Sequence, residues 1–304
     1  MLNITNLVEY IEKNKNIVFN NQLEREEMKN FLKKYNYSNI FSLKYLFSTG
    51  RETKKINGLN KNIFKYEKEI YNKILKTQYL ELLNLENKLR ESVLMYEIEL
   101  KSHFIFFLEK FFYDEKISFQ DFLENLEEYN HKNKKFKKFD LKKIEKEWKR
   151  EVVIYSEETH NNFSLYSHLL IKILSFGTLG KILDGHYKKE KIFKKFSNYI
   201  KKEKINFFIP KILRDLETII ILRNCLCHKE SMIIFLEKGY KKNTKNKAND
   251  NKDYLNMRIN AIEKIYQYYE NQKLDSNSWI KKYSKFRISN GKNGNNFIEL
   301  KINP

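Results

Sequence analysis

The chain contains few of the residues that interrupt regular secondary structure. Its 304 residues include 8 glycines and 2 prolines, about 3% of the chain, whereas average usage of these two residues is roughly 12%. Because sandwiches, barrels and propellers need a turn every few residues, this scarcity argues against them and favours long helices. A hydrophobic fraction of 41%, including 15% aromatic residues, argues against general disorder.

The chain is also short of cysteines and of long apolar runs. Its two cysteines, Cys225 and Cys227, lie too close together to staple a fold, which fits a reducing cytosol. The most apolar stretch, 169–183, contains two lysines, whereas a membrane-spanning helix needs about 18 or more residues with few charges. The N-terminus carries Lys and Glu where a signal peptide has an apolar run. We therefore expect a cytoplasmic protein with no membrane-spanning segment.

Positive charge is in large excess. The 59 Lys and Arg residues outnumber the 39 Asp and Glu residues and give a formal net charge of +20. Such an excess favours a polyanionic partner, either nucleic acid or an anionic membrane surface. The chain lacks a clear basic amphipathic anchor, so membrane association is the weaker alternative.

The most basic segment, 131–150, interleaves lysines with Phe136, Phe139 and Trp148. Lysines contact phosphates and aromatic rings stack on bases, so we predict an RNA-binding surface here. The alternative is a solvated face, which is the usual meaning of a charge run, with the rings in the core. The residues expected to contact RNA are Lys134, Lys135, Lys137, Lys138, Lys142, Trp148 and Arg150.

The spacing of apolar residues predicts an all-α fold. Helices are expected over 3–48 (two or three), 63–112 (with one break), 117–130, 163–183 (broken at 175–178), 188–203, 210–239 and 254–272. Pro210 should lie in the first turn of its helix and Gly239 should end it. The apolar stripe of the longest helix is Leu75, Tyr79, Leu82, Leu85 or Glu86, Leu89, Val93, Tyr96 and Leu100.

The remaining segments suggest a division into three parts. Residues 49–62 are interpreted as a polar loop, 240–253 as a solvated insertion, and the C-terminal end as a small hairpin around Asn-Gly pairs. We therefore predict an N-terminal helical segment over 1–62, a central helical domain over 63–273, and a C-terminal appendage over 274–304.

Arg223, Asn224 and His228 form the constellation with the clearest chemistry. They follow four apolar residues at 219–222, and polar groups in such a helix need partners or a cleft. On a helix, Asn224 and His228 share one face. An arginine clamps a phosphate and a histidine moves protons at neutral pH, so these groups suit RNA cleavage by the RNA's own 2′-hydroxyl. The alternative is that they are helix-surface residues beside core cysteines.

No other motif supports a different chemistry. The remaining histidines form no pair, and no carboxylate cluster or second cysteine pair completes a metal site. Glycine-rich phosphate-binding loops are missing from the sequence. We expect neither a metal nor a cofactor.

The string at 223–228 (RNCLCH) matches the R-N-x-x-x-H motif of the HEPN ribonucleases. Two further segments resemble the AbiD/AbiF (Abi-like) abortive-infection family: the long-helix motif at 82–90 (LLNLENKLR) and 97–102 (EIELKS), and the motif SFGTL at 175–179. The three motifs occur in the family's order, and the resemblance covers roughly residues 20–270. Cys227 stands where the family usually has a small residue, and the 240–253 insertion and the terminal hairpin have no counterpart.

The resemblance implies an all-helical HEPN bundle that forms a homodimer, with two motifs facing each other across a composite site. It implies that Arg223 binds the scissile phosphate, that His228 is the general acid/base, and that Asn224 orients His228 or the phosphate. Glu97 or Glu99 is expected to hold Arg223, and the motif does not choose between them. Helix glutamates commonly face solvent instead.

The function implied by the resemblance is that of a metal-independent endoribonuclease of an abortive-infection or toxin–antitoxin antiphage system. A companion non-coding RNA would restrain it, and the family resembles the presumed ancestors of RNA-guided type VI CRISPR nucleases. The alternative is a non-catalytic RNA-binding component of a ribonucleoprotein, which the basic charge and the aromatic residues support equally.

Overall fold

A computed structural model of the chain describes residues 4–43, 50–56, 58–66, 69–130, 134–142, 174–245 and 253–270, together with the single positions 144, 146 and 171. These residues are mostly helical, which confirms the predicted class. The helices are α1 (Ile4–Lys15), α2 (Gln22–Tyr35), α3 (Tyr37–Ile40), a 3-10 turn (Phe41–Leu43), α4 (Asn72–Glu115), α5 (Phe119–Glu124), α6 (Phe176–Asp184), α7 (Ile192–Lys202), α8 (Leu213–Cys227), α9 (Met232–Lys245) and α10 (Tyr254–Glu270).

The described strands are short and form three small sheets. They are β1 (Ile17–Val18), β2 (Gly50–Ile56), β3 (Leu59–Lys65), β4 (Ile70–Tyr71), β5 (Leu126–Asn130), β6 (Lys135–Lys138), β7 (His186–Tyr187) and β8 (Glu190–Lys191). Strand β1 pairs in parallel with β4, β2 pairs with β3, and the third sheet has the order β6-β5-β7-β8.

The chain divides into two compact units. Within the described residues, the first unit contains the chain up to Arg90 and from Cys225 to Gln267, and the second contains Glu91–Asn224 and Tyr268–Glu270. The predicted boundary between 62 and 63 falls inside β3. The predicted C-terminal appendage, 274–304, lies outside the described residues.

The longest helix, α4, is 44 residues of continuous α-helix, about 66 Å at 1.5 Å per residue. The predicted break within it was wrong, because the segment has no glycine or proline and its apolar stripe continues without interruption. Tyr79, Val93 and Leu100 are all buried, as the stripe predicted. The helix begins at Asn72 rather than at 63, because the residues before it form β3 and β4.

The predicted polar loop over 49–62 is instead the β2–β3 hairpin, in which Gly50 pairs with Lys65 and Ile56 with Leu59. Its strands are rich in polar residues, so the apolar alternation that marks a strand is missing. The signal for the hairpin was the pair Asn57-Gly58 in the sequence, since Gly58 has a φ of 77° and hairpin turns favour glycine there.

The predicted helix over 210–239 is two helices, α8 and α9. Pro210 lies before the first turn of α8, and Gly239 lies inside α9, which continues to Lys245 through the first part of the predicted insertion at 240–253. Gly239 does not end the helix. Its lack of a side chain allows the backbone of α9 to lie close to α10. A Cβ there would lie 2.7 Å from Cδ of Arg258 and 3.1 Å from the carbonyl oxygen of Tyr254.

Gly239→Ala is therefore expected to lower the free energy of unfolding by about 1–3 kcal/mol. Arg258 is buried and donates a hydrogen bond to the carbonyl of Phe235, so it has little freedom to move away. Urea denaturation measures the effect. Gly177→Ala is the matched control, since the nearest atom to its Cβ lies 3.9 Å away, and this change should stabilise the helix by about 0.5–1 kcal/mol. Equal effects of the two substitutions would contradict the close approach.

In the second unit, the predicted break at 175–178 is confirmed as the start of α6, where the Ser175 side chain accepts a hydrogen bond from the amide of Thr178. The predicted helix over 117–130 was wrong in its second half. Helix α5 ends at Glu124 and β5 follows, because the segment pairs with β6 and β7. The predicted helix over 188–203 begins only at Ile192, after the β7–β8 hairpin.

Lysine and asparagine occupy backbone positions that usually favour glycine. The non-glycine residues with positive φ are Asn16, Asn36, Lys116, Lys134, Lys188, Lys189, Lys204 and Lys229. The left-handed conformation costs an ordinary residue roughly 1–2 kcal/mol. The scarcity of glycine therefore did not exclude tight turns, and the turn at Lys188 and Lys189 carried no Asn-Gly signal in the sequence.

Candidate functional site

Arg223 and Asn224 lie near the C-terminal end of α8, and both are half-buried. The helix packs closely in the second unit, because a Cβ on Gly180 of α6 would lie 2.5 Å from Cδ1 of Ile220. Leu216 and Ile219 are buried on its apolar side. Tertiary packing thus fixes the backbone that carries Arg223.

The Arg223 side chain is held by the carboxylate of Glu97 on α4. Arg223 Nε donates to Glu97 Oε2 at 2.6 Å, and Lys101 Nζ donates to Glu97 Oε1 at 2.9 Å. The Glu97 side chain is 8% exposed, compared with 27% for Arg223 and 15% for Lys101. Two cations therefore share one buried carboxylate, and the cluster keeps one positive charge in excess.

Asn224 completes the orientation of the guanidinium. Arg223 Nη1 donates to Asn224 Oδ1 at 3.2 Å. Among the described residues, no acceptor forms a hydrogen bond with Nη2 of Arg223. A fixed, partly exposed guanidinium with a remaining donor is suited to binding a phosphate oxygen, because the fork geometry of arginine matches that ligand.

Of the two glutamates that the sequence left open, Glu97 is the one that contacts Arg223. Glu99 lies beside the hydroxyl groups of Tyr268 and Tyr269. Burial, and then the charge of Glu99, raises the pKa of both tyrosines. The signal that could have chosen Glu97 is helical phase, since it lies four residues after the buried Val93 and three before Leu100.

His228 belongs to the first unit and lies one residue beyond the end of α8. The amide of Lys229 donates to the carbonyl of Leu226 at 3.2 Å, and the amide of Glu230 donates to that of Cys225 at 2.9 Å. With the φ of Lys229 at 56°, these bonds form a Schellman motif in which His228 is the C-cap residue. His228 therefore caps the end of the helix, four residues after Asn224, and does not lie inside it.

The His228 side chain is exposed, and no hydrogen bond to its ring is present among the described residues. Its backbone position is fixed by the Schellman motif, while its ring remains accessible to a ligand. The structure thus brings Arg223, Asn224 and Glu97 together. His228 follows Arg223 by five positions in the chain.

Arg90 holds the end of α8 and Glu86 holds the start of α9, and neither role was predicted from the sequence. Arg90 Nε donates to the carbonyl of Leu226 at 3.0 Å, where a positive charge also suits the helix dipole. Glu86 Oε1 accepts from the Ser231 hydroxyl at 2.9 Å and from the Met232 amide at 2.7 Å, so it caps α9. The signal in the sequence was an acidic residue at a position of the apolar stripe.

Glu86→Gln is expected to reduce the pH dependence of stability. Burial raises the pKa of the Glu86 carboxyl above its ordinary value of 4.5, although hydrogen bonds from Met232 and Ser231 oppose the shift. Its stabilising contribution is therefore present at pH below about 4.5 and is lost as pH rises through the folded-state pKa. Glutamine keeps the accepting oxygen and does not ionise. Urea denaturation across this range tests the effect, and the exposed Glu91→Gln on the same helix should behave like the unmodified protein.

The described part of the basic segment forms β6 and the residues beside it. Lys134, Lys135, Lys137, Lys138 and Lys142 are all exposed, as a nucleic-acid contact requires. Lys137 is paired with Glu128 at 3.0 Å, and the register of β5 places Glu127 opposite Lys138, so acidic neighbours offset part of the positive charge.

Of the aromatic residues in this segment, the structure describes Phe136 and Phe139. Phe139 is buried, and the ring of Phe136 lies 5.1 Å from both Tyr129 and His186. Trp148 and Arg150 lie outside the described residues. The exposed lysines are the predicted RNA contacts that the structure describes, and contact through Trp148 and Arg150 stays a prediction.

The surroundings of the other candidate side chains indicate a structural role. Burial raises the pKa of the Cys225 thiol to about 12, which makes it a poor nucleophile. The ring of His103 lies 4.9 Å from that of Phe207 in a tilted arrangement, and burial lowers the pKa of His103. No group of three or more potential metal ligands occurs among the described residues. No described helix has the length and apolar character needed to cross a membrane.

Comparison with known proteins adds no relative. No family model, curated protein or solved structure matches the chain. The function is therefore argued from the residues and their geometry.

Proposed function

We propose that this chain is a metal-independent endoribonuclease of the HEPN superfamily, acting in the cytoplasm in an Abi-like abortive-infection or toxin–antitoxin antiphage system. The observation that carries the proposal is the Arg223 side chain, which a buried Glu97 and Asn224 hold in one orientation. A partly exposed arginine held in one orientation suits a ligand with negative charge. The motif that supplies this arginine ends at an exposed histidine.

The reaction follows from these groups. The 2′-oxygen of the RNA attacks the adjacent phosphorus, and the bond from phosphorus to the 5′-oxygen breaks. His228 moves the proton between the 2′-hydroxyl and the leaving 5′-oxygen, while Arg223 stabilises the charge that develops on the phosphate. The products are a 2′,3′-cyclic phosphate and a 5′-hydroxyl.

The proposed active form is a homodimer, because one chain supplies a single copy of the motif. Helix α4 supports this with apolar side chains that remain exposed in the second unit: Leu94, Met95 and Ile98 are 36%, 48% and 57% exposed. Apolar groups at this spacing are suited to burial against a second copy. The net charge of +20 supports a companion non-coding RNA as the second partner.

One observation favours a second candidate function. The His228 ring has no orienting hydrogen bond among the described residues, whereas catalytic histidines are commonly oriented by a neighbouring group. A non-catalytic RNA-binding component of a ribonucleoprotein needs no such orientation. Cleavage by the purified protein distinguishes the two candidates.

The test uses full-length protein from which co-purified RNA has been removed and sequenced. It is incubated in EDTA with an RNA substrate and with the same strand carrying one 2′-deoxy residue at the cleavage site. We expect cleavage of the first strand, resistance at the modified position, and cyclic-phosphate ends. Tight RNA binding without cleavage of any strand would instead favour the ribonucleoprotein component.

A further inference from the structure

The first unit contains a cavity of about 460 Å³ beside the end of α8, within the range of roughly 300–1,000 Å³ that is common for small-ligand sites. Its lining includes Lys229 and Glu230, which directly follow His228 in the chain. Because consecutive Cα atoms are only about 3.8 Å apart, the cavity lies beside the segment of chain that carries His228.

Two cations give the cavity its charge. Arg90 and Lys229 both line it. Arg90 uses Nε for Leu226 and Nη1 for Asn87, and Nη2 makes no hydrogen bond within the described residues. Lys229 is exposed and forms no ion pair within the part of the chain that the structure describes.

The acidic groups of the cavity are already engaged. Glu86 accepts two hydrogen bonds from the start of α9, and Glu230 pairs with Lys238 at 2.7 Å. The charge of Glu86 offsets part of the charge of Arg90, whereas Lys229 has no carboxylate partner within the described residues. An anionic ligand is favoured over a cationic one.

The rest of the lining is uncharged, and it includes the apolar side chains of Leu83 and Ile234. Ser38, Asn39 and Asn87 contribute hydroxyl and amide groups, and Tyr79 contributes an aromatic side chain. Amides donate and accept hydrogen bonds at the edges of nucleobases, and single-stranded RNA is recognised by such contacts to unstacked bases. Two cations beside neutral amides suit a ligand with a phosphate and a base.

We propose that this cavity binds one nucleotide of the RNA strand next to the scissile phosphate, with Arg90 and Lys229 at its phosphate and the amides of Asn39 and Asn87 at its base. This inference rests on the proposed ribonuclease function, because it assigns the cavity as a substrate subsite of that enzyme. The site makes cleavage depend on the identity of the neighbouring base.

Lys229→Gly tests the phosphate contact without disturbing the backbone. Residue 229 has a positive φ at the C′ position of a Schellman motif, where glycine is the preferred residue, so the variant should keep or raise the midpoint of thermal unfolding. Lys116→Gly is a matched control: Lys116 is exposed, has a φ of 53°, and follows α4 in the same motif, with hydrogen bonds to Tyr113 and Phe112. It does not line the cavity.

The measurement is fluorescence anisotropy of a short labelled single-stranded RNA, titrated with full-length protein stripped of RNA, at several salt concentrations. Lys229→Gly is expected to weaken binding about 3–10-fold and to reduce the slope of log K against log salt by about 0.7, the value for one lost phosphate contact on a single strand. Asn39→Ala should weaken binding without changing the slope, since an amide carries no charge. Equal behaviour of Lys229→Gly and Lys116→Gly would overturn the site.

Competition distinguishes the source of the ligand. AMP should displace the RNA from the unmodified protein at a lower concentration than inorganic phosphate. Equal displacement by phosphate would overturn the nucleotide assignment, and tighter binding of AMP than of the RNA would overturn the assignment to a strand.

The outcome is separable from the nuclease proposal. A Lys229-specific loss of binding in a protein that never cleaves RNA supports the site and refutes the enzyme. Cleavage with no such loss refutes the site alone.

Discussion

Replacing His228 by alanine is expected to lower the rate of RNA cleavage by about 10²–10⁴-fold, the usual contribution of a general acid or base. The fold should be retained, because the ring is exposed and the Schellman motif around it is made by backbone groups. Single-turnover cleavage by RNA-free protein measures the rate, and thermal unfolding measures the fold. A matched control is His103→Leu, which keeps an apolar contact with Phe207 and should leave the rate unchanged.

Arg223→Ala extends the same expectation to phosphate binding. Loss of one charge-stabilising donor commonly costs about 10²–10³-fold in rate. The fold should tolerate the change, because Glu97 remains paired with Lys101. Arg223→Lys should recover little of the rate, since lysine lacks the fork that contacts Glu97 and a phosphate together. Cleavage that persists in both His228→Ala and Arg223→Ala would refute the proposed mechanism.

Glu97→Ala is expected to lower the free energy of unfolding by about 2–4 kcal/mol, because removing one partner of a buried ion pair leaves the others uncompensated. Here the loss removes the carboxylate that Arg223 and Lys101 share, and these two cations are only 27% and 15% exposed. The loss should therefore exceed that of Arg223→Ala, which leaves one salt bridge intact. Urea denaturation of the purified variants measures both values.

Glu99→Ala is the matched control for this substitution. It removes the same charge from the same helix, two residues away, but its neighbours are Tyr268 and Tyr269 rather than cations. We expect a smaller loss of stability and a lower pKa for both tyrosines, which absorbance titration detects. Similar losses for Glu97→Ala and Glu99→Ala would contradict the special role of Glu97.

The helical core was predictable because burial follows spacing. The stripe of α4 was read correctly at Leu75, Tyr96 and Leu100, all of them buried, since a face that packs against the protein must repeat with the helical period. The same logic failed for the start of α4 and for the small strands. Those features depend on pairing with distant segments, such as β5 with β7, which local spacing does not encode.

The candidate site was predictable in its residue types and not in its contacts. Arg223 stood out as a charged residue after an apolar run, whereas its partner lies 126 positions earlier in the chain. The contacts of Arg90 and Glu86 were not predicted because both residues act on backbone groups of α8 and α9. A side chain that binds a helix end contacts backbone groups. The sequence of the contacted segment therefore contains no matching side chain that would reveal the contact.

Replacing lysines in the left-handed conformation should give a protein that is more stable and binds RNA less non-specifically. Glycine at Lys116, Lys189 and Lys204 would relieve the backbone cost at each turn and would lower the formal net charge from +20 to +17, since three positive charges are removed. Non-specific attraction to RNA falls with the number of phosphates a protein neutralises. One set of substitutions would thus reduce non-specific affinity for RNA and raise the midpoint of thermal unfolding. Specific binding at the end of α8 could then be measured with less non-specific binding in the signal.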